Sequence, residues 1–217
     1  MKRTTPISDS RGNPETADNV VPLFFDGDDT ALVAAICSGN RRAMRALVDR
    51  YGRYIERLVA HLMGLDPHLY DFVQEVFVRA IRDMGRLKQP DRLKPWLRSI
   101  AVFTVRTELR RRQRWSFFGF RDPDELPDVA GPSADLEGQE ALRRVDGLLA
   151  RMPAEERLIL CLRLFENMEQ LQIATELAIS LATVKRRLTK ATSRFMTLAA
   201  EDPLLRDRVV SGGRNEQ

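Results

Sequence analysis

The stretch EQLQIATELAISLATVKRRLTKATSR, residues 169–194, decides the fold. Leu171, Ile173, Ala174 and Leu177 recur at the spacing of a short helix packed along one side. Ala178 and Ile179 make a turn. Ser180 stands where an N-cap belongs, its hydroxyl placed to accept from an orphan backbone N–H of a second helix. In that helix Val184, Leu188, Ala191 and Phe195 face inward, which leaves Thr183, Lys185, Arg186, Arg187, Thr189 and Lys190 mostly outward. The segment Lys185–Arg194 holds five cations and no acid. This is the pattern of a helix-turn-helix, whose second helix enters the major groove and donates to guanine edges and phosphates. A solvated basic helix on an ordinary bundle would account for the charge run alone. The turn, the cap and the preceding helix, taken with the run, favour DNA.

Working outward, Leu142, Val145, Leu148 and Leu149, then Leu158, Ile159, Leu160, Leu162 and Leu164, predict two amphipathic helices leading into the helix-turn-helix. Glu155 and Glu156 follow Pro153, as suits a helix first turn, where acids complement the dipole. Between Asp122 and Glu140 stand seven acids and no Lys or Arg, with Pro123, Pro127, Gly131 and Pro132 breaking any helix. That segment reads as a flexible acidic linker. Before it, a long helix points Trp96, Leu97, Ile100, Ala101, Val105 and Leu109 inward and stacks Phe103, Arg106 and Arg110 on its other side. Trp115, Phe117, Phe118 and Phe120 then either anchor the linker or cap the first domain's core, of which capping is favoured.

Farther toward the N-terminus, Gly85 to Pro95 reads as a polar loop. A helix opened by Asp66 and Pro67 and running to about Met84 carries two stripes. Phe72, Val73, Val76, Phe77, Ala80 and Ile81 form a core face. Asp71, Gln74, Glu75 and Val78 form the opposite face, at spacings of three and four. Two further helices between Thr30 and Met63 are separated at Gly39 and Asn40. Residues 1–28 read as a disordered tail, in which Val20, Val21, Leu23, Phe24 and Phe25 form a locally docking exception. The fold class expected is all-α: two small helical domains joined by an acidic flexible linker, the second containing the helix-turn-helix.

Composition narrows the function. The chain has 217 residues, 30% charged and 7% aromatic, with a net charge of +4 that hides basic clusters alternating with the acidic stretch. Cys37 and Cys161 lie far from any CxxC spacing, so neither a disulfide scaffold nor a zinc site is expected. No apolar run reaches the roughly 20 residues that span a bilayer, and the N-terminus lacks a signal-peptide core; the expected location is cytoplasmic, without membrane insertion. His68, Asp71 and Glu75 share one helix, but no second half-site matches them, so no metal is expected. With no phosphate-binding glycine loop, dinucleotide fingerprint or nucleophile elbow, neither catalytic residues nor a cofactor are expected.

Two ordered motifs carry a resemblance. The first is Asp71-Phe72-Val73-Gln74-Glu75-Val76-Phe77 followed by Trp96-Leu97-Arg98-Ser99-Ile100-Ala101. The second is Met152-Pro153-Ala154-Glu155-Glu156-Arg157, then Ile173-Ala174 and Ile179-Ser180 leading to Thr183-Val184-Lys185-Arg186-Arg187-Leu188. Together, across a proline-rich linker, they resemble the extracytoplasmic-function (group IV) class of bacterial sigma factors over about residues 29–198.

The resemblance implies a subunit that binds RNA polymerase core enzyme, recognises promoter DNA at two elements and opens the duplex. Asp71, Gln74, Glu75 and Val78 would dock on the polymerase. Phe103, Arg106 and Arg110 would handle the minus-ten element and the melted non-template strand, where a base turned out of the stack must be held. Many relatives carry Asn at the position of Phe103; Phe stacks on a base but reads no edge. Lys185, Arg186, Thr189 and Lys190, with Thr183, would approach base edges of the double-stranded upstream element, and Arg163 and Arg187 its phosphates. The acidic linker would thread into the polymerase, and an anti-sigma factor is an expected partner.

The expected layout is a tail over 1–28, an N-terminal sigma domain over 29–116, the linker over 117–138, the C-terminal domain over 139–200 and a tail over 201–217. Ala178 departs from the Gly that many relatives have in the turn. A left-handed backbone there would cost Ala about 1 kcal/mol relative to Gly. The alternative function is a stand-alone helix-turn-helix regulator with a helical sensing or dimerisation domain.

Overall fold

The structure, a computed structural model, describes residues 28–64, 66–116, 136–203 and 205–206. Eight α-helices hold the described chain: α1 Asp29–Cys37, α2 Arg41–Met63, α3 Leu69–Asp83, α4 Leu93–Ser116, α5 Leu136–Ala150, α6 Ala154–Leu164, α7 Gln170–Leu177 and α8 Leu181–Glu201. Two short 3₁₀ turns, Met84–Arg86 and Pro90–Arg92, join α3 to α4.

Local chemistry sets the helix ends. Asp28 caps α1 by accepting from the Thr30 N–H at 2.8 Å, and the Asn40 side chain caps α2 by accepting from Arg42 and Ala43. Gly39, at φ 82, makes the break between them. The expected start of α3 shifts: Asp66 to His68 form a turn in which Asp66 accepts from the His68 N–H at 2.9 Å, and the helix begins at Leu69 rather than on Pro67. The expected loop over 85–95 also shortens. Two 3₁₀ turns occupy most of it, and Pro95 lies in the first turn of α4, where a missing N–H costs no helix bond.

Helices α2, α3 and α4 pack as a bundle around Leu47, Ile55, Leu62, Val76, Leu97 and Val105, all buried. The second module packs α6, α7 and α8 around Leu158, Ile159, Leu162, Ile173 and Val184. One continuous apolar cluster runs through both modules, so the two expected cores are joined. Helix α2 packs directly on α6.

The domain edges also move. Helix α5 begins at Leu136, before the expected boundary at 139. Leu205, expected in the C-terminal tail, is buried with Leu148 and Ala199. The expected tail docking by Val20–Phe25, the core-capping aromatics Trp115 to Phe120 and residues 117–135 of the linker expected over 117–138 fall on residues whose placement or side chains lie outside the described set. No described helix is long and apolar enough to cross a membrane.

Candidate nucleic-acid interface

The helix-turn-helix is built as its residue types require. The Glu169 N–H donates to the Gln172 side chain at 2.8 Å and opens α7. Ala178 adopts φ 48 and ψ 51, the left-handed conformation, and the following Ile179 N–H reaches back to the Ala174 carbonyl at 3.0 Å. Ser180 accepts from the Thr183 N–H at 3.1 Å, the expected N-cap. Its hydroxyl also shares a 2.8 Å hydrogen bond with the Thr183 hydroxyl. One inward assignment fails: Leu171 is 66% exposed, because it stands at the start of α7, where the helix has not yet reached the core.

On α8, Lys185, Arg186, Thr189 and Lys190 are exposed, and Thr183 and Arg187 are half-buried. Two acids of α6 compete for this face. Glu155 accepts from Arg187 at 2.5 Å, and Glu156 receives Lys190 at 2.8 Å and Arg194 at 2.7 Å. Besides complementing the dipole of α6, Glu155 and Glu156 thus hold cations of α8. Their spacing to α8 is long-range and invisible to periodicity. Glu156 is 8% exposed; burial alone would raise its pKa, but the hydrogen bonds from Lys190 and Arg194 outweigh burial and hold it below the usual carboxylate range. Arg163 donates to the Met168 carbonyl and to the Glu169 carboxylate, each at 3.2 Å, which clips the end of α6 to the start of α7.

The stripe on α3 stands as expected for Asp71, Gln74 and Val78, all exposed. Glu75 is half-buried and accepts from Arg79 at 2.5 Å. On α4, Phe103 keeps 60% of its surface open, with the Arg79 guanidinium 5.5 Å from its ring centre. Arg110 is exposed. Arg106 is not: its guanidinium donates to the carbonyl of Leu177, the last residue of α7. Burial, then repulsion from Arg110, lowers its pKa. The Arg106 Nε is buried without a partner.

Below these residues Arg112 bridges Asp66 and Glu108 and fixes α4 against the turn before α3. His68 lies 3.5 Å from Asp71, and the described residues contain no group of His, Cys, Asp and Glu arranged to hold a metal.

Fold and faces define a class: an all-helical protein with an exposed polar stripe on α3 and an exposed Phe103 and Arg110 on α4 in one module, and a helix-turn-helix with a capped basic second helix in the other. Residues 47–115 match sigma-70 region 2 and residues 148–194 match sigma-70 region 4. The chain belongs to the extracytoplasmic-function class of sigma-70 factors.

It is similar to the RNA polymerase sigma-H factor of Pseudomonas aeruginosa, 29% identical over 202 residues, which cover 85% of this chain and 100% of that one. It is also similar to the sigma factor CnrH of Cupriavidus metallidurans, 28% identical over 199 residues, 88% of this chain and 98% of that one. Among solved structures, CnrH in complex with the cytosolic domain of CnrY superposes with a TM-score of 0.52 at 24% identity, covering 80% of this chain and 98% of that one. RpoE in complex with the anti-sigma factor NepR from Bartonella quintana gives 0.55 at 19%, covering 73% and 97%. These likenesses support the fold.

Proposed function

We propose that this chain is a dissociable initiation subunit that binds RNA polymerase core enzyme, recognises promoter DNA and promotes strand opening. The observation that carries the reading is the pairing, in one chain, of region 2 with an exposed polar stripe and region 4 with a capped basic helix. A stand-alone regulator would need only the second.

The residue roles follow from chemistry. Asp71, Gln74 and Val78, with Glu75 behind them, form the polymerase-docking face, where carboxylate and amide oxygens accept charge-assisted hydrogen bonds from a basic partner. Phe103 stacks on an unpaired base of the minus-ten element, while Arg106 and Arg110 hold the displaced backbone. Lys185, Arg186, Thr189 and Lys190 face base edges of the upstream element, Thr183 lies at the groove entry, and Arg163 and Arg187 lie nearer phosphates.

The chain works in the cytoplasm, has no chemistry of its own and needs no cofactor. Its modules span about residues 29–116 and 136–206, and an anti-sigma factor covers its polymerase-binding faces. Run-off transcription with purified core enzyme tests the function: the folded chain should direct initiation from a cognate promoter. A folded chain that neither binds core enzyme nor supports initiation from any promoter of its genome would refute it.

A further inference from the structure

The geometry points to a further binding site: a cleft bounded by α2, α4 and the segment after α6 takes a mononucleotide-like ligand, a planar ring carrying a phosphate monoester. The cleft measures about 420 Å³, within the roughly 300–1,000 Å³ of small-molecule sites. No residue that lines it has a part in the promoter or polymerase reading above, so the site stands apart from that reading.

Helical spacing assembles it. Tyr54, Arg57 and His61 stand three and four residues apart and share one face of α2. Lys94 and Arg98 stand four apart in the first two turns of α4, at the pole of a 24-residue helix that favours an anion. Phe165 and Glu166, just past α6, complete the wall.

Three cations meet one acid here, and the acid is already taken. Glu166 Oε2 accepts from the Tyr54 hydroxyl at 2.7 Å and lies 3.7 Å from Arg98 Nη1. Burial, then the hydrogen bond to Glu166, pushes the Tyr54 pKa far up, so the phenol stays a neutral donor. Arg57 and Lys94 are exposed, and neither has a carboxylate partner among the described residues. Arg57 donates to the Arg53 carbonyl at 3.3 Å, and the Lys94 ammonium sits 4.7 Å from the Tyr54 ring centre. The Arg98 Nε is buried with no hydrogen-bond partner, a state that native structures rarely leave unfilled. Two uncompensated cations and an unpaired guanidinium donor match the roughly two charges and three acceptor oxygens of a phosphate monoester.

The ring half of the ligand follows from the aromatic walls. Phe165 stacks on the His61 ring with centroids 4.1 Å apart and planes 18° from parallel. His61 Nε2 lies 3.2 Å from Asp146, which fixes the imidazole. A planar base set against this pair extends the stack. Inorganic phosphate would use the cations and leave the rings wet, and an uncharged nucleoside would do the reverse.

Isothermal titration calorimetry of the full chain with AMP is the test. One AMP should bind per chain with a Kd of roughly 10–100 µM, as the efficiency of drug-sized ligands gives. Adenosine and inorganic phosphate should each bind about tenfold more weakly or worse. Arg57→Ala and Lys94→Ala should each weaken AMP about three- to tenfold. Arg42→Ala, which removes an exposed cation from the same helix outside the cleft, should not. Phe165→Leu should weaken AMP about three- to tenfold and leave inorganic phosphate as it was.

No AMP binding at millimolar concentration would overturn the proposal. Equal losses in Arg42→Ala and Lys94→Ala would do so too, since they would mark diffuse surface charge. Inorganic phosphate bound as tightly as AMP would remove the ring and with it the assignment. Dithymidine monophosphate, whose phosphodiester carries a single charge, separates a free nucleotide from a nucleic-acid strand: binding as tight as that of AMP counts against the mononucleotide. Should Phe165→Leu fail to fold, the exposed Arg57 and Lys94, whose removal leaves the core intact, decide alone.

Discussion

Ala178 holds φ 48 and ψ 51 with a Cβ in place. The left-handed region costs a non-glycine residue about 1–2 kcal/mol, against about 0.5–1 kcal/mol that glycine would forfeit in backbone entropy. Ala178→Gly should therefore stabilise the chain by on the order of 0.5–1 kcal/mol, read from urea denaturation; a lower midpoint would mean the turn relies on the methyl group. Glu156 gives a pH-dependent counterpart. Its folded pKa lies below its unfolded one, so its contribution is complete above about pH 4.3 and is lost as pH falls through the folded value. Between pH 7 and pH 4 the wild type should lose more unfolding free energy than Glu156→Gln; equal losses would show that Lys190 and Arg194 do not hold this carboxylate. Ala178 was legible in the sequence because a turn residue announces its own strain. Glu156 was not, since a carboxylate in a helix first turn looks the same whether it faces water or two cations from a helix some 30 residues away.

At the level of elements, the recognition helix depends on its cap. Ser180 satisfies the Thr183 N–H at the end that would enter the groove. Ser180→Ala should cost about 1 kcal/mol of stability and weaken binding to the upstream element by fraying the first turn; circular dichroism and fluorescence anisotropy would read the two effects. Stability unchanged on removal of the hydroxyl would show that the Thr183 hydroxyl or water replaces it. Lys185→Ala and Arg186→Ala test what the helix reads. Each should reduce discrimination between matched and mismatched upstream elements by about 1–3 kcal/mol if it makes a bidentate base contact, whereas equal weakening on all sequences would mark phosphate contacts. Periodicity recovered α2, α4 and α8 nearly whole, because long amphipathic helices repeat their signal many times. It misplaced the start of α3 and the inward role of Leu171, where one or two residues at a helix end carry too little repetition to fix a face.

On the scale of the whole molecule, one apolar cluster crosses both modules, which predicts a single cooperative unfolding transition for the DNA-free chain. Fluorescence of Trp96 and Trp115, both on α4, should melt together with the far-ultraviolet helix signal. Two separated transitions would show that the modules melt independently. Amphipathic patterns identified which residues are buried but not what buries them, so two modules were legible and their contact was not. Arg157 is the clearest case, a charge to which helical spacing assigns no partner and which the structure places inside. The contact of α2 with α6 gives the protein a chemical clock. Cys37 is exposed, while the Cys161 thiol donates to the His61 carbonyl at 3.4 Å across that contact, and burial pushes its pKa up to about 12. A thiol reagent should modify Cys37 at once and Cys161 only as fast as α6 lifts from α2, so the second phase times each local opening of the unaltered chain.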